Sequence, residues 1–154
     1  MTEQAPRPED VVDALVEKVL GTPRSLRHDE VAALSGVPLE EARRLWRAMG
    51  FADVGDTVAF TEGDLGALRE LETLVARDLL DRDDAVEVTR ALGLTTSRLA
   101  DWQADTFGRL LTENGVLDLD DPLGPTSAAA LGRELDVLLP VLERLLVHVW
   151  RRQL

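Results

Sequence analysis

Cysteine is absent from the 154 residues, and with it go disulfides, thiol nucleophiles and thiolate metal sites. Histidine is scarce: His28 and His148 are the only imidazoles, too few for a histidine-rich metal centre. Tyrosine and isoleucine are missing, Lys18 is the sole lysine and Asn114 the sole asparagine, while Arg, Ala, Leu, Val, Asp and Gly abound, a pattern of GC-rich coding bias. Aromatic residues make up 4% of the chain, so Leu and Val have to fill the core, which suits helix packing better than a β-sandwich. Nothing approaches the roughly 18 uncharged apolar residues of a membrane span. The acidic, polar start MTEQAPRPED has no apolar signal segment, so the expected location is cytoplasmic. Positive charge is short as well. Lys and Arg total 17 against 29 Asp and Glu, a formal net charge of −12, so a phosphate-binding surface would be built against the overall field, and nucleic acid is a poor first partner.

What is present is helical periodicity. Val11, Val12, Leu15, Val19 and Leu20 form the stripe of a first helix that opens after Pro6 and Pro8 and ends at Gly21-Thr22-Pro23. SLRHDEVAALSGVPLEEARRLWRAMGF reads as a helix-turn-helix around Gly36. Val31, Leu34 and Val37 face inward on its first helix, Ala42, Leu45 and Trp46 on its second, and Gly50 is the C-cap. FADVGDTVAF, turning at Gly55-Asp56, predicts a short hairpin or wing. Thr61-Glu62-Gly63-Asp64 is a capping-box start for a helix through Leu65, Leu68, Leu71, Val75 and Leu79 to about Leu80, where Asp81-Arg82-Asp83-Asp84 breaks the pattern. A helix from about Asp84 to Leu92 follows, with Gly93 as its stop. Thr95, Thr96 or Ser97 then caps another that runs to about Glu113, with Leu99, Trp102, Phe107, Leu110 and Leu111 inward. GVLDLDDPLGPTS is a loop pinned by Val116, Leu117 and Leu119.

The final helix starts near Ser127. Leu131, Leu135, Leu138, Leu142, Leu145 and Val149 alternate spacings of four and three, a heptad seam, and Val137, Leu139, Val141, Leu146 and Trp150 widen it. So broad an apolar surface has to be covered on more than one side, which predicts a homodimer. Pro140 lies inside this pattern, deletes one backbone hydrogen bond and predicts a kink. No Gly, Pro or Asn stops the helix at Trp150-Arg151-Arg152-Gln153-Leu154, as expected of a segment that continues into a further domain.

Catalytic motifs are missing: there is no nucleophile elbow, no GxxxxGK[ST], no GxGxxG after a strand and no HExxH, so the chain is read as non-catalytic. The acidic runs Asp78 to Glu87 and Asp118 to Asp121 lack EF-hand geometry and read as solvated surface, with no metal site expected. The helix-turn-helix, the wing and Phe60-Thr61-Glu62-Gly63-Asp64-Leu65 resemble the N-terminal module of MerR-type regulators over about Leu26 to Leu71. Glu40 and Glu41 would repel phosphates there, and Arg43, Arg44 and Arg47 would partly offset them. Two readings follow: a MerR-like transcriptional regulator, or a helix-turn-helix kept as a packing unit.

Over roughly Ser25 to Leu154 the order of segments is similar to the N-terminal regulatory domains of actinobacterial class III adenylate cyclases. The likeness is carried by the amphipathic first helix, RRLWRAMGFADV, LADWQADTFGRLL and LLPVLERLLVHVWRRQL. It implies an all-α, homodimeric domain that acts in cAMP signalling by inhibiting or releasing a cyclase catalytic domain in cis in response to pH. In some members of that family an apolar tunnel holds a fatty-acyl chain; Trp102, Phe107, Leu139, Leu142 and Leu146 are the candidate walls here. His148 is the candidate pH switch, with the clustered carboxylates as the alternative sensor. The expected organisation is an N-terminal helix and linker over 1–24, a MerR-like helix-turn-helix with its short wing and following helix over 25–80, and a helical dimerisation and regulatory region over 81–154. The cyclase half itself, with its ATP and two-metal site, is not in these residues. A protein-interaction module without a ligand is the plainest alternative.

Overall fold

A computed structural model describes residues 7–154; the first proline of the helix-opening pair, Pro6, lies outside the described residues. Within them the chain forms six helices and no strand: α1 (Pro8–Leu20), α2 (His28–Ser35), α3 (Leu39–Met49), α4 (Glu62–Ala76), α5 (Arg82–Glu113) and α6 (Pro125–Gln153). Two compact units emerge. One joins the N-terminal residues through Gly21 to Thr106–Leu154; the other is Thr22–Asp105.

In the unit Thr22–Asp105, short polar signals set each boundary. Glu30 accepts the Arg27 backbone N–H at 2.8 Å to open α2, and Gly36 closes it in the left-handed region at φ 78°, a conformation that a side chain would strain. Thr61 and Asp64 cap α4 reciprocally: the Asp64 carboxylate accepts the Thr61 N–H at 2.7 Å and the Thr61 hydroxyl accepts the Asp64 N–H at 3.2 Å. Thr61 is itself buried, so removing its hydroxyl leaves Asp64 N–H without its cap. Thr61→Ala is expected to cost about 1–2 kcal/mol, read as a lower urea midpoint at unchanged slope.

The core of this unit is Val31, Ala32, Val37, Ala42, Leu45, Trp46, Phe60, Leu65, Leu68, Ala85 and Val86, drawn from every helix of the unit. Trp46 and Phe60 stack with ring centroids 4.5 Å apart. Leu34 departs from the expected inward set: it is 51% exposed, because the face of α2 that meets the core is the one carrying His28, Val31 and Ala32. The wing is not a hairpin. Phe60 pairs instead with Leu26, antiparallel and isolated, with Phe60 N–H donating to Leu26 O at 3.0 Å and Leu26 N–H donating back at 3.0 Å. Residues 51–57 make a turn at Gly55 in which Asp53 accepts the Gly55 N–H at 3.0 Å.

Helix α4 ends at Ala76 rather than near Leu80, and Asp78 then takes φ 54°. The acidic break that follows is a start signal: Asp81 and Asp84 cap each other's backbone N–H groups at 2.7 and 3.3 Å and launch α5. The two helices expected on either side of Gly93 are one. Gly93 is buried inside α5, where a Cβ would fall within 2.7 Å of the Met49 backbone of α3. The threonines expected to cap a new helix bond backwards instead, Thr95 to Ala91 O and Thr96 to Leu92 O, each at 2.7 Å.

The other unit holds α1 and α6 packed on each other, joined by the loop 114–124 to the end of α5. Val116 and Leu117 pin that loop by partial burial, but Leu119 does not, being 72% exposed. Ser127, buried at the start of α6, accepts the Asp118 N–H at 3.4 Å. α6 runs through Pro140 as one helix.

Candidate functional site

The heptad seam and His148 both lie on α6. At 1.5 Å per residue its 29 residues make a rod of about 40 Å. The small residues Ala128, Ala129 and Gly132 on its first half let α1 approach closely with Val11, Ala14 and Leu15. The Lys18 ammonium pairs with the Asp136 carboxylate across that contact, and the stem of Lys18 lies over Gly132.

Of the seam residues, Leu131, Leu135, Leu138 and Leu142 are half-buried, whereas Leu145 is 53% and Val149 51% exposed. Beyond Pro140 no residue of α6 is buried: Val141, Leu146, Val147 and Trp150 also face outward. Phe107, Leu139 and Leu142, three of the candidate acyl-chain residues, are half-buried in this unit, and Leu146 is exposed. Trp102 belongs to the unit Thr22–Asp105 and is 63% exposed. His148 is exposed on α6.

The buried imidazole is His28, which the sequence reading left without a role. Its Nδ1 lies 2.6 Å from Gly55 O and its Nε2 lies 3.0 Å from an Arg43 Nη. A carbonyl only accepts, so Nδ1 carries the hydrogen and Nε2 offers its lone pair to the guanidinium. The helical spacing that places His28, Val31 and Ala32 on one face was the available signal.

Two of the three arginines of α3 are paired with carboxylates, while Arg47 donates to the backbone carbonyl of Arg43. Arg43 pairs with Glu40 at 2.8 Å and Arg44 with Asp83 of α5 at 2.8 Å. Arg82 at the start of α5 pairs with Glu41 and, at 3.4 Å, with Glu72; the hydrogen bond it donates to Glu41 and the field of both carboxylates raise its pKa above the ordinary arginine value. Glu41 thus serves an internal tie between α3, α4 and α5. Among the described residues no three His, Asp or Glu side chains gather as ligands for a metal ion, and no helix is long and apolar enough to cross a membrane.

No family model matches the chain. Individual proteins do. An adenylate cyclase of Streptomyces coelicolor is 46% identical over 136 residues, 88% of this chain and 34% of that protein. An adenylate cyclase of Streptomyces griseus is 43% identical over 136 residues, 88% of this chain and 33% of its own length. This chain is homologous to one part of adenylate cyclases. The adenylate cyclase of Glutamicibacter nicotianae extends the likeness to 94% of the chain at 35% identity over 146 residues, again over 35% of its length. The chain therefore spans about a third of the length of the cyclases it matches.

Proposed function

We propose that this chain is the non-catalytic regulatory domain of an adenylate cyclase, and that it controls a catalytic domain in cis through a dimeric helical switch. The observation that carries the reading is the extent of the match: most of this chain aligns with three adenylate cyclases, while two thirds of each cyclase lies elsewhere. The second support is the imbalance between the two units. Thr22–Asp105 has a full buried core, whereas among the described residues of the unit of α1 and α6 Val11 is the buried aliphatic side chain and the far half of α6 keeps Leu145, Val149 and Trp150 more than half exposed. Contiguous apolar surface on that scale calls for a partner, and a second α6 supplies an identical heptad face. The MerR-like helix-turn-helix is then a packing unit. The DNA-binding alternative draws no support from this surface, because Arg43 and Arg44 are already paired with carboxylates.

Two inputs complete the proposal. A long-chain fatty acid would lie against Phe107, Leu139, Leu142 and Leu146 within the unit of α1 and α6, and native mass spectrometry of the purified chain is expected to retain it. Proton concentration is the other input, with His148 at the exposed end of the seam as one sensor. Sedimentation equilibrium tests the core claim: the chain runs as a dimer at micromolar concentration, and Leu145→Glu with Val149→Glu, which place two like-charged pairs across the axis, shifts it to monomer by at least tenfold in Kd, about 1.4 kcal/mol. In a longer protein carrying the cyclase half, the same pair of substitutions uncouples cyclase activity from pH. A wild-type chain that stays monomeric, with this rod unpaired, overturns the switch.

A further inference from the structure

His28 is held between two elements by bonds of opposite sense. As the first residue of α2 it donates from Nδ1 to Gly55 O, in the turn after α3, and accepts at Nε2 from Arg43 of α3. Arg43 meanwhile donates to Glu40. These groups wall a cleft of about 250 Å³ floored by Trp46 and Phe60, the core stack of this unit. The imidazole thus ties α2 to α3 and to the Gly55 turn through hydrogen bonds of fixed direction, at a cleft that Trp46 and Phe60 also line.

A second proton turns Nε2 from an acceptor into a donor that faces the donors of Arg43 at 3.0 Å. The positive end of α2 opposes the added charge, and Arg47 of α3 adds to that opposition at the rim of the cleft. Carboxylates favour it: Glu40 of α3 and Asp53 of the turn line the cleft, with Asp56 beside Gly55 and Asp29 and Glu30 on α2 itself. The carboxylate that Arg43 now holds is the partner an imidazolium needs.

From this geometry we infer that His28 is a proton-driven latch: on protonation Nε2–H takes the Glu40 carboxylate, Arg43 is released from the imidazole, and the Gly55 turn shifts on α2 and α3. The proton comes from solvent hydronium: its O–H bond breaks, leaving water, and the Nε2 lone pair forms the N–H bond; no other covalent bond changes. The latch deepens the pH-responsive reading above and rests on it for its consequence, but it is a property of this chain alone.

The test is long-range 1H–15N NMR of the 154-residue chain titrated from about pH 8 to about pH 5, across the usual imidazole range. At the upper end His28 is expected as the neutral tautomer with its hydrogen on Nδ1. On acidification the amides of Gly55 and of α3 around Arg43 are expected to move with the same midpoint as the His28 ring. Arg43→Gln gives Nε2 an amide partner that can donate or accept, so the ring still titrates while the co-movement of the Gly55 amide falls at least severalfold. An Nε2–H tautomer at the upper end, or a Gly55 turn that ignores the His28 titration in the wild-type chain, overturns the latch. A longer cyclase whose activity ignores pH while His28 still exchanges partners overturns the regulatory reading instead, so the two failures are distinguishable.

Discussion

Gly93→Ala unfolds the unit Thr22–Asp105 at markedly lower urea concentration than the wild-type chain. In an open helix interior the exchange of glycine for alanine gains about 0.5–1 kcal/mol, because alanine loses less backbone entropy. At Gly93 the new methyl would lie 2.6 Å from Met49 Cα and 2.7 Å from Met49 C. These are backbone atoms, which cannot swing aside as the tip of a side chain can. α3 and α5 have to part, and with them the core that Ala85 and Val86 share with Leu45 and Trp46 loosens. Overpacking of this kind costs about 3 kcal/mol. Gly66→Ala in α4 is the matched control: nothing lies within 4 Å of its Cβ position, so the same exchange is expected to raise stability by about 0.5–1 kcal/mol. Opposite signs from two helical glycines of one unit are the diagnostic result; equal signs would mean that α3 and α5 do not touch at Met49.

Trp46→Ala is expected to cost about 4 kcal/mol, the upper range for deleting a large buried aromatic. Trp46 is 5% exposed, stacks on Phe60 and stands at the centre of a core otherwise built from small and aliphatic residues. Two neighbours in this core cannot move in to fill the space, since Ala42 and Val31 are fully enclosed, and the Phe60 backbone is held by its bonds to Leu26. The tryptophans make the measurement direct. Trp102 and Trp150 are both more than half exposed, so Trp46 supplies the blue-shifted part of the emission. The variant is expected to lose that component while far-ultraviolet circular dichroism shows how much helix persists before denaturant is added.

Local chemistry made the helix starts and stops readable from the amino-acid order. Gly21, Gly36 and Gly50 each end a helix in the left-handed conformation, and Thr61 with Asp64 opens α4 as its residue types demand. Misreadings arise where a distant segment decides. Gly93 looks like a terminator until the Met49 backbone, 44 positions earlier, is brought against it. Phe60 looks like a hairpin residue until Leu26 takes its hydrogen bonds. Leu34 fits an inward stripe only if α2 meets its neighbours one step further round than it does. At the candidate site the amphipathic extent of α6 was legible from heptad spacing, because apolar density along a single helix is a local property. His28 was not, since its bonding partners come from a turn and a helix that composition does not bring together.

Lys18 has a practical consequence. It carries the only side-chain amine in 154 residues, and that amine is engaged with Asp136 where α1 lies on α6. Acylating reagents thus have one ε-amino target, and the speed of its modification clocks how often the first helix lifts away. The molecule comes with its own single-site probe for undocking, without an engineered label.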